Sequence, residues 1–441
     1  MDHLSPPVNP RWLRMLRAIG LPLPIATELL RADGPFRTAE MAELPLRAIL
    51  CGPMLQAATE AQPALFGERG TPEGGPLREA LVVDVSGWAS ADNLADLYGL
   101  LCPRLSTLGP NSRVIFVTAY RDDPDAFVVA EAITGFCRSL AKEIGRKGST
   151  VNVLSAAPGA APSLAPWLAF LASRRSAYVS GQVINVSGML GGERAPTERS
   201  LDRQTALVTG AGQGIGLAIA QRLAEEGMRV IGLDRPGGAT LGARMAELGG
   251  HAIELDLAAP DVGKQLAPLL IPFADGIDVL VNNAGVTRDR TFRNLSRQDW
   301  QTVLDVNLYA AMRVTEAMLE RHLAPHARIV MLSSISGLAG NAGQTNYATA
   351  KAGIVGYVRA MAGKLAERGA AINAVAPGFI DTPMTAQMPF AVREIARRFN
   401  ALGQAGQPRD VAELVAFLVR PEAVGVTGET IRICGLNVMG R

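Results

Sequence analysis

The sequence of 441 residues lacks several features that mark particular classes of protein. No apolar run approaches the ~18 residues that a membrane-spanning helix needs, so membrane insertion is not expected. Lysine plus arginine (43) nearly balance aspartate plus glutamate (41), so no overall field attracts nucleic acid. The four cysteines are scattered, with no C-x-x-C pair and no histidine at metal-ligand spacing, so they predict buried thiols and no metal site. With no secretory signal evident, we expect a cytoplasmic protein.

An internal repeat is the first positive feature of the sequence. Residues 135–141 resemble residues 356–362, which lie 221 positions later, and each segment is followed by a Pro-Gly pair, Pro158-Gly159 and Pro377-Gly378. Further matching blocks keep the same order, namely 113–117 with 328–332 and 179–184 with 426–431. A period of this length indicates two domains in tandem.

Both copies alternate β-branched strands with helical stretches, which indicates parallel, doubly wound sheets. The predicted fold is α/β with two tandem Rossmann-like sheets, the first degenerate. We place the first domain at 1–190, an exposed linker at 191–203 and the second domain at 204–441, and a short amphipathic helix is predicted at Asn9–Ile19. Strands of the second copy are predicted at Thr205–Thr209, Arg229–Leu233, His251–Leu255, Val279–Val281, Arg328–Leu332, Ile372–Val375 and Thr430–Ile433.

A glycine-rich turn opens the second domain. Gly210, Gly214 and Gly216 follow a predicted strand and precede a helical stretch, at G-x-x-x-G-x-G spacing. Glycines let the chain turn tightly and let backbone N–H groups approach a pyrophosphate at the positive end of the helix. The sequence therefore predicts a dinucleotide site here.

The next strand bears on the choice of cofactor. It ends in Asp234, whose carboxylate can accept hydrogen bonds from the ribose hydroxyls and repels a 2′-phosphate. Arg235 follows and favours NADP(H), whereas Gln213 places no positive charge in the glycine turn. We expect NAD(H), with NADP(H) as the less favoured alternative.

Tyr347 and Lys351 are four residues apart and so share one face of a helix. Ser334 precedes them at the end of a predicted strand, where a substrate would lie. A tyrosine, with a pKa of ~10, is a poor acid–base at neutral pH unless a nearby cation favours its anion. Lys351 can supply that cation.

These motifs make the second half similar to the short-chain dehydrogenase/reductase family, and in particular to bacterial 3-oxoacyl-acyl-carrier-protein reductases. Residues 340–347 resemble that branch specifically. The matching pieces span nearly all of 203–441 in the family's order: Thr209–Gly216, Asp256, Asn282–Gly285, Asn307, Ser334, Tyr347–Lys351 and Pro377-Gly378.

The resemblance implies a catalytic role for four residues. Ser334 would bind the substrate carbonyl, and Tyr347 would donate the proton as hydride arrives. Lys351 would hold the nicotinamide ribose and lower the pKa of Tyr347. Asn307 would kink a helix and order a water in the proton relay.

The resemblance also implies which residues hold cofactor and substrate. The substrate would contact Gln344, and also Met384 and Met388 on a mobile lid over 379–400 that covers the acyl chain. The cofactor would be held by Gly210, Gln213, Gly214, Ile215, Gly216, Asp234, Arg235, Asp256, Leu257, Asn283, Ala284, Gly285, Tyr347, Lys351, Pro377, Gly378, Ile380 and Thr382.

The implied activity is NAD(P)H-dependent reduction of a 3-oxoacyl thioester, on acyl-carrier protein or CoA, in fatty-acid metabolism. Arg321 and Arg368 match basic positions that family members use to dock the carrier. The alternatives are a 3-hydroxyacyl-CoA dehydrogenase or another carbonyl reductase. A non-catalytic binding or scaffold protein is a third interpretation, which the intact serine, tyrosine and lysine argue against.

The first half departs from this pattern. Alanines (Ala119, Ala126 and Ala130) stand opposite the catalytic serine, tyrosine and lysine, and Asp84–Gly87 stands opposite Asn282–Gly285. No glycine-rich turn opens this half, so we expect it to be non-catalytic. The two-domain layout resembles the family's high-molecular-weight subgroup, which implies NADH use and a homodimer. We expect the first half to stand in for a neighbouring subunit, so that a homodimer imitates a four-domain assembly.

Overall fold

The computed structural model describes residues 26–37, 46–50, 52–61, 80–120, 123–188, 200–237, 240–273, 276–423 and 425–437. The helix predicted at Asn9–Ile19 and residues 191–199 of the predicted linker lie outside these ranges. Within them, no helix is long and apolar enough to cross a membrane. The same ranges hold no cluster of three His, Cys, Asp or Glu side chains suited to a metal ion.

The first half forms a five-stranded parallel sheet in chain order, β1-β2-β3-β4-β5. Every residue of β2, β3 and β4 is buried, as expected of a parallel sheet with elements packed on both faces. The strands β1 to β5 are Leu46–Leu50, Ala80–Asp84, Arg113–Ala119, Thr150–Ala156 and Val183–Val186. The helices α1 to α4 are Pro53–Ala61, Asp96–Leu105, Pro124–Ile144 and Ala161–Ala172.

The second half forms a seven-stranded parallel sheet in the order β12-β11-β10-β9-β6-β7-β8, so the strand order reverses beside β6. Ligands of such sheets lie at the carboxyl ends of the strands near that reversal. The strands β6 to β12 are Thr205–Thr209, Arg229–Asp234, His251–Glu254, Ile277–Asn282, Leu323–Leu332, Ala371–Pro377 and Thr430–Ile433. All seven predicted strands are confirmed.

The helices of the second half alternate with these strands. They are α5 to α14, namely Gly214–Glu225, Leu241–Glu247, Val262–Leu269, Arg297–Leu304, Ala310–Arg321, Ile335–Ala339, Thr345–Ala366, Pro383–Ala386, Phe390–Arg398 and Pro408–Leu418.

The two sheets repeat the same local geometry. Arg113 in β3 and Arg328 in β10 each donate hydrogen bonds from one guanidinium nitrogen to three backbone carbonyls at matching places. Asn152 in β4 and Asn373 in β11 play matching roles. Each side chain donates one hydrogen bond to, and accepts one from, the backbone of the segment that leads into the next strand. The shared pattern covers β2–β5 in one sheet and β9–β12 in the other.

Strand register corrects two details of the sequence comparison. The pairing of β2 with β3 and of β9 with β10 puts Asp84 opposite Asn283, one residue from the alignment made on the motif. Likewise, the equivalent strands β4 and β11 end at equivalent residues, Ala156 and Pro377. Because Pro158 lies two residues beyond Ala156, Pro158-Gly159 is not the counterpart of Pro377-Gly378. Both errors arose because turn residues were aligned without the hydrogen-bond register of the strands.

The lid has no counterpart in the first half. There β4 ends at Ala156 and α4 begins at Ala161, through a short connection that the structure describes in full. In the second half β11 ends at Pro377 and α14 begins only at Pro408. This longer connection, 378–407, contains the residues of the predicted lid, 379–400.

The two halves meet through equivalent helices, α4 and α14. Phe170 and Phe417 are each the tenth residue of their helix. Their rings stack across the interface with centroids 4.3 Å apart and planes 8° apart. Beside them, Glu413 forms ion pairs with both Arg175 of the first half and Arg222 of the second.

The last strands of the two sheets, β5 and β12, extend this interface. The backbone N–H of Arg432 donates to Gln182 Oε1 at 3.0 Å. In return, Asn185 Nδ2 donates to Glu429 Oε1 at 3.0 Å. Register makes Gln182 equivalent to Glu429 and Asn185 equivalent to Arg432. Such reciprocal contacts are the mark of a two-fold interface between like units.

Candidate active site

The glycine turn lies between β6 and α5, as predicted. Gly210 and Gly214 have φ of +67° and +60°, which L side chains rarely adopt. A Cβ on Gly216 would lie 2.0 Å from the Gly210 carbonyl oxygen. The turn therefore needs glycine both for its conformation and for the close packing of helix on strand.

The N-terminus of α5 is open to an anion. Gln213 is the N-cap residue, and its side chain caps none of the described N–H groups of the first turn. Those N–H groups lack partners within the helix and lie at the positive end of its dipole. Ile215, in the same turn, packs against the apolar core. The turn thus fits a pyrophosphate.

In the first half, the N-terminus of the equivalent helix, α1, is occupied by a side chain of the protein itself. Asp84 is buried, and its Oδ2 accepts a hydrogen bond of 2.7 Å from the N–H of Leu55 in the first turn of α1. A Cβ on Gly52 would lie 2.8 Å from Asp84 Oδ1. The opposite residue in the second half, Asn283, is a neutral amide. A buried carboxylate at this helix end both satisfies the N–H group and repels phosphate.

Asp234 is fixed at the rim of the glycine turn. It ends β7 and is partly exposed. Its Oδ2 accepts a bond of 2.9 Å from Gly212 N, and its Oδ1 accepts one of 2.8 Å from Arg235 N. The Arg235 side chain is exposed. The carboxylate is thus held where β7 ends beside the turn.

The strands on either side of β6 and β7 bring four more predicted residues to this edge. After β8, the exposed Asp256 accepts a bond of 2.9 Å from Ala258 N, and Leu257 is buried. After β9, Asn283 and Ala284 both donate their backbone N–H to Thr209 Oγ1, at 3.0 and 3.1 Å. Thr209 was part of the predicted motif but was given no role; its hydroxyl joins the two loops.

Asn307 lies in a π-helical turn, Asp305–Tyr309, between α8 and α9. A π-helical turn is one of the features at which helices kink. Asn307 is buried, and its Nδ2 donates to Val303 O at 2.8 Å and to Val286 O at 2.9 Å. A Cβ on Gly285 would lie 2.5 Å from Asn307 Oδ1, so the chain passes closely here.

Ser334 and Tyr347 are brought together at the carboxyl end of β10. Ser334 caps α10, and its Oγ accepts a bond of 3.1 Å from Ser336 N. Burial raises the pKa of Tyr347, while its hydrogen bond with the Ser334 side chain lowers that pKa and the charge of Asp289 raises it. The phenol is therefore protonated at neutral pH.

Lys351 is buried behind the tyrosine. Its Nζ donates to the Leu332 carbonyl at 2.7 Å and lies 5.8 Å from the centroid of the Tyr347 ring. Burial lowers the pKa of Lys351 to about 8. Burial is the largest cause of the shift in the Tyr347 pKa, and Lys351 is not among the groups that shift it in this arrangement.

Gln344, a predicted substrate contact, joins two loops. Its Oε1 accepts bonds from Ser336 Oγ at 3.0 Å and Asn341 Nδ2 at 2.9 Å. Its Nε2 donates to Asp289 Oδ2 at 2.9 Å. Gln344 therefore holds the loop after β9 against the loop that bears Ser334. Sequence spacing gave no sign of Asp289 or Ser336 in this role.

The lid rises from the end of β11, opposite the glycine turn. Gly378 N donates to Ile433 O at 3.0 Å, and Ile380 is buried at the lid's base. A Cβ on Gly214 would lie 3.9 Å from Thr382 Cγ2, so Thr382 adjoins the turn. Along α12 and α13, large apolar side chains are exposed: Met384, Phe390, Val392 and Ile395, with Met388 half-buried.

The arginines suggested for carrier docking lie apart from a second group of exposed arginines. Arg321 and Arg368 lie at the far ends of α9 and α11. About 30 Å of helix separates Tyr347 from Arg368, so this arginine lies away from the chain's own Tyr347. The second group lies on the loop after β9, which Gln344 contacts through Asp289, and at the start of α8: Arg288, Arg290, Arg293 and Arg297, all exposed.

Comparison with known proteins covers this same part of the chain. A family model described as enoyl-(acyl carrier protein) reductase matches residues 210–435. The 3-oxoacyl-[acyl-carrier-protein] reductase FabG of Vibrio cholerae is 39% identical over 238 residues, 54% of this chain and 98% of that protein. The short-chain reductase protein NovJ of Streptomyces niveus is 42% identical over 255 residues, 55% of this chain and 97% of that protein. The FabG reductase of Escherichia coli is 36% identical over 239 residues, again 54% and 98%.

Proposed function

We propose, from the premise that the chain belongs to the short-chain dehydrogenase/reductase family, that its second half reduces 3-oxoacyl thioesters to 3-hydroxyacyl thioesters with a nicotinamide cofactor. The observation that carries this proposal is that Ser334 and Tyr347 lie together at the carboxyl end of β10, with buried Lys351 behind them and the open glycine turn on the same edge of the sheet.

The protonation states suit reduction. The glycine turn would hold the nicotinamide cofactor, which would supply a hydride for the carbonyl carbon. Ser334 and Tyr347 donate hydrogen bonds to the carbonyl oxygen, and the Tyr347 O–H bond breaks as the alcohol O–H bond forms. Because burial raises the pKa of Tyr347, the phenol holds the proton that it must donate. Lys351 is mostly charged at pH 7, since its pKa is about 8, and its Nζ lies 5.8 Å from the centroid of the Tyr347 ring.

We infer that NADH is preferred over NADPH. Asp234 is held at the rim of the turn by two backbone N–H groups, so its negative charge stands beside the site of the adenosine ribose. A 2′-phosphate there would meet a fixed carboxylate. The exposed side chain of Arg235 makes no hydrogen bond or ion pair with the other described residues.

We infer that an acidic carrier protein delivers the acyl chain. No carboxylate of the described residues lies within 4 Å of Arg290, Arg293 or Arg297, and Arg288 makes one loose ion pair of 3.7 Å with Asp299. Phe292, 69% exposed, stands among them. An exposed aromatic ring surrounded by arginines is a typical protein-binding surface, and the charge fits an acidic helix.

We further propose that the first half is a degenerate copy that stands in for a neighbouring subunit. The reciprocal contacts of α4 with α14 and of β5 with β12 support this proposal, as does the carboxylate of Asp84 in its former nucleotide site. A homodimer of such chains would then present four sheets.

The proposed activity is tested by a substrate panel. Purified full-length protein is given 3-oxoacyl thioesters of increasing chain length, on acyl-carrier protein and on CoA, with NADH or NADPH. We expect turnover that is faster with NADH, and Tyr347→Phe should lower kcat by about 10²–10⁴ while NADH still binds. Asp234→Ala should bring the rates of turnover with NADH and with NADPH closer together.

Other outcomes of the panel favour the alternatives. Oxidation of 3-hydroxyacyl-CoA with little reduction of carrier thioesters would indicate a 3-hydroxyacyl-CoA dehydrogenase. Absence of turnover with every thioester would support a binding protein.

The carrier is tested by Arg293→Glu/Arg297→Glu, which should lower kcat/KM several-fold for carrier thioesters but not for N-acetylcysteamine thioesters. The matched control, Arg104→Glu/Lys142→Glu, reverses two exposed charges of the first half. A loss confined to CoA thioesters would assign the arginines to the CoA phosphates.

A further inference from the structure

Tyr178 of the first half is inserted into the second half. It follows α4 and is fully buried. A Cβ on Gly406 would lie 2.5 Å from Tyr178 Cε1, and a Cβ on Gly435 would lie 2.9 Å from Cε2. The ring is thus enclosed between two backbone segments of the second half that only glycine allows to approach so closely.

The hydroxyl of Tyr178 is tied to the segment that follows the lid helix α13. It donates to the Gln404 carbonyl at 3.0 Å and accepts a bond of 3.3 Å from Asn400 Nδ2. Asn400 Nδ2 also donates to the Gln404 carbonyl, at 2.9 Å. Burial raises the pKa of Tyr178 well above its ordinary value, so the hydroxyl stays a donor.

This segment closes the base of the lid. Gly406 N donates to Phe379 O at 3.1 Å, and Asp381 N donates to Gly406 O at 2.9 Å. Arg397, in the last turn of α13, forms an ion pair of 2.9 Å with Asp381. The two ends of the lid are therefore joined to each other, and Tyr178 contacts the joint from the other half of the chain.

Other contacts from the first half reach the same joint. Gln404 Nε2 donates to the Thr27 carbonyl at 2.8 Å. A Cβ on Gly145, at the end of α3, would lie 2.5 Å from the Ala401 carbonyl oxygen. By contrast, α12 and α13 expose Met384 and other apolar side chains. The base of the lid is held by the first half, while its apolar helices are free to meet a ligand.

We propose that Tyr178 is a positioning residue for the acyl chain: it fixes the base of the lid, so that α12 and α13 close over the substrate from a set position. This role rests on the proposed function, since it takes the lid to cover an acyl chain. The catalytically silent half would thereby act on specificity rather than on chemistry.

The test uses Tyr178→Phe in the full chain, which removes two hydrogen bonds and keeps the ring. We expect KM for long-chain 3-oxoacyl thioesters to rise about fivefold, the factor that the net contribution of one hydrogen bond gives. KM for acetoacetyl thioesters should stay within twofold of its value in the unchanged protein. The same holds for kcat with either long-chain or acetoacetyl thioesters. Trypsin should cleave the lid at Arg393, Arg397 or Arg398 several times faster.

Two control variants separate lid positioning from general loosening. Asn185→Ala removes a cross-half hydrogen bond to Glu429, which lies outside the lid and the segment that joins its ends, and Tyr357→Phe removes a buried hydroxyl that has no partner among the described residues. Both should leave chain-length dependence and lid cleavage unchanged. Equal KM changes for short and long substrates, or unchanged lid cleavage in Tyr178→Phe, would overturn the proposal. If no thioester is reduced, the proposed function fails, but the cleavage test still decides whether Tyr178 holds the lid.

Discussion

At the scale of single residues, the two halves differ most clearly at one helix end. Asp84 supplies a carboxylate to the first turn of α1, whereas its counterpart Asn283 is an amide that donates to Thr209 O and Gly210 O. The amide leaves the N–H groups of α5 to an outside anion. One charge at one position thus accounts for the loss of nucleotide binding that we propose for the first half.

The buried amine of Lys351 makes stability depend on pH. Burial lowers its pKa from 10.5 to about 8, so between these values the unfolded chain binds a proton that the folded chain does not. Stability from this group therefore rises with pH through that range. Relative to Lys351→Met, the unfolding free energy of the natural chain should rise by about 3 kcal/mol between pH 8 and 10.5, measured by urea titration. Parallel curves for the two proteins would show that the amine is not buried as described.

At the scale of elements, β-branched runs were enough to predict all seven strands of the second sheet. The helix that bears Tyr347 and its counterpart α3 also begin at equivalent residues, Thr345 and Pro124, as the repeat predicts. What the sequence could not supply was register. The partner of Asp84 depends on how β2 pairs with β3, and the contacts of Gln344 and Tyr178 join segments far apart in the chain.

The helix pair α4 and α14 should carry much of the interface energy. Phe417 is 9% exposed and stacks on Phe170. Phe417→Ala should therefore lower the unfolding free energy by about 3–5 kcal/mol, since it removes a large buried ring and leaves a cavity. The matched control is Phe127→Ala on α3, where the ring is 60% exposed and the loss should stay below about 1 kcal/mol. Similar losses in both variants would mean that the stacked rings contribute little.

At the scale of the whole molecule, the chain consists of two related sheets joined by a two-fold type of contact. Each contact across it is repeated by the equivalent residues of the two halves. Gln182 binds Arg432, and Glu429, the equivalent of Gln182, binds Asn185, the equivalent of Arg432. The second half adds features that the described residues of the first do not show: the glycine turn, β7 with Asp234, the residues proposed to be catalytic and the residues predicted to form a lid. We therefore assign chemistry to one half, and support of the lid and of the shared interface to the other.

The claim that only the second half binds nucleotide is tested most directly by the stoichiometry of NADH binding. Titration of the full chain, followed by NADH fluorescence, should give one NADH per chain. Gln213→Asp places a carboxylate at the N-terminus of α5, as Asp84 does at α1, and should abolish that binding without loss of stability. The neutral variant Gln213→Asn should still bind. Two NADH per chain, or binding that survives in Gln213→Asp, would contradict the assignment.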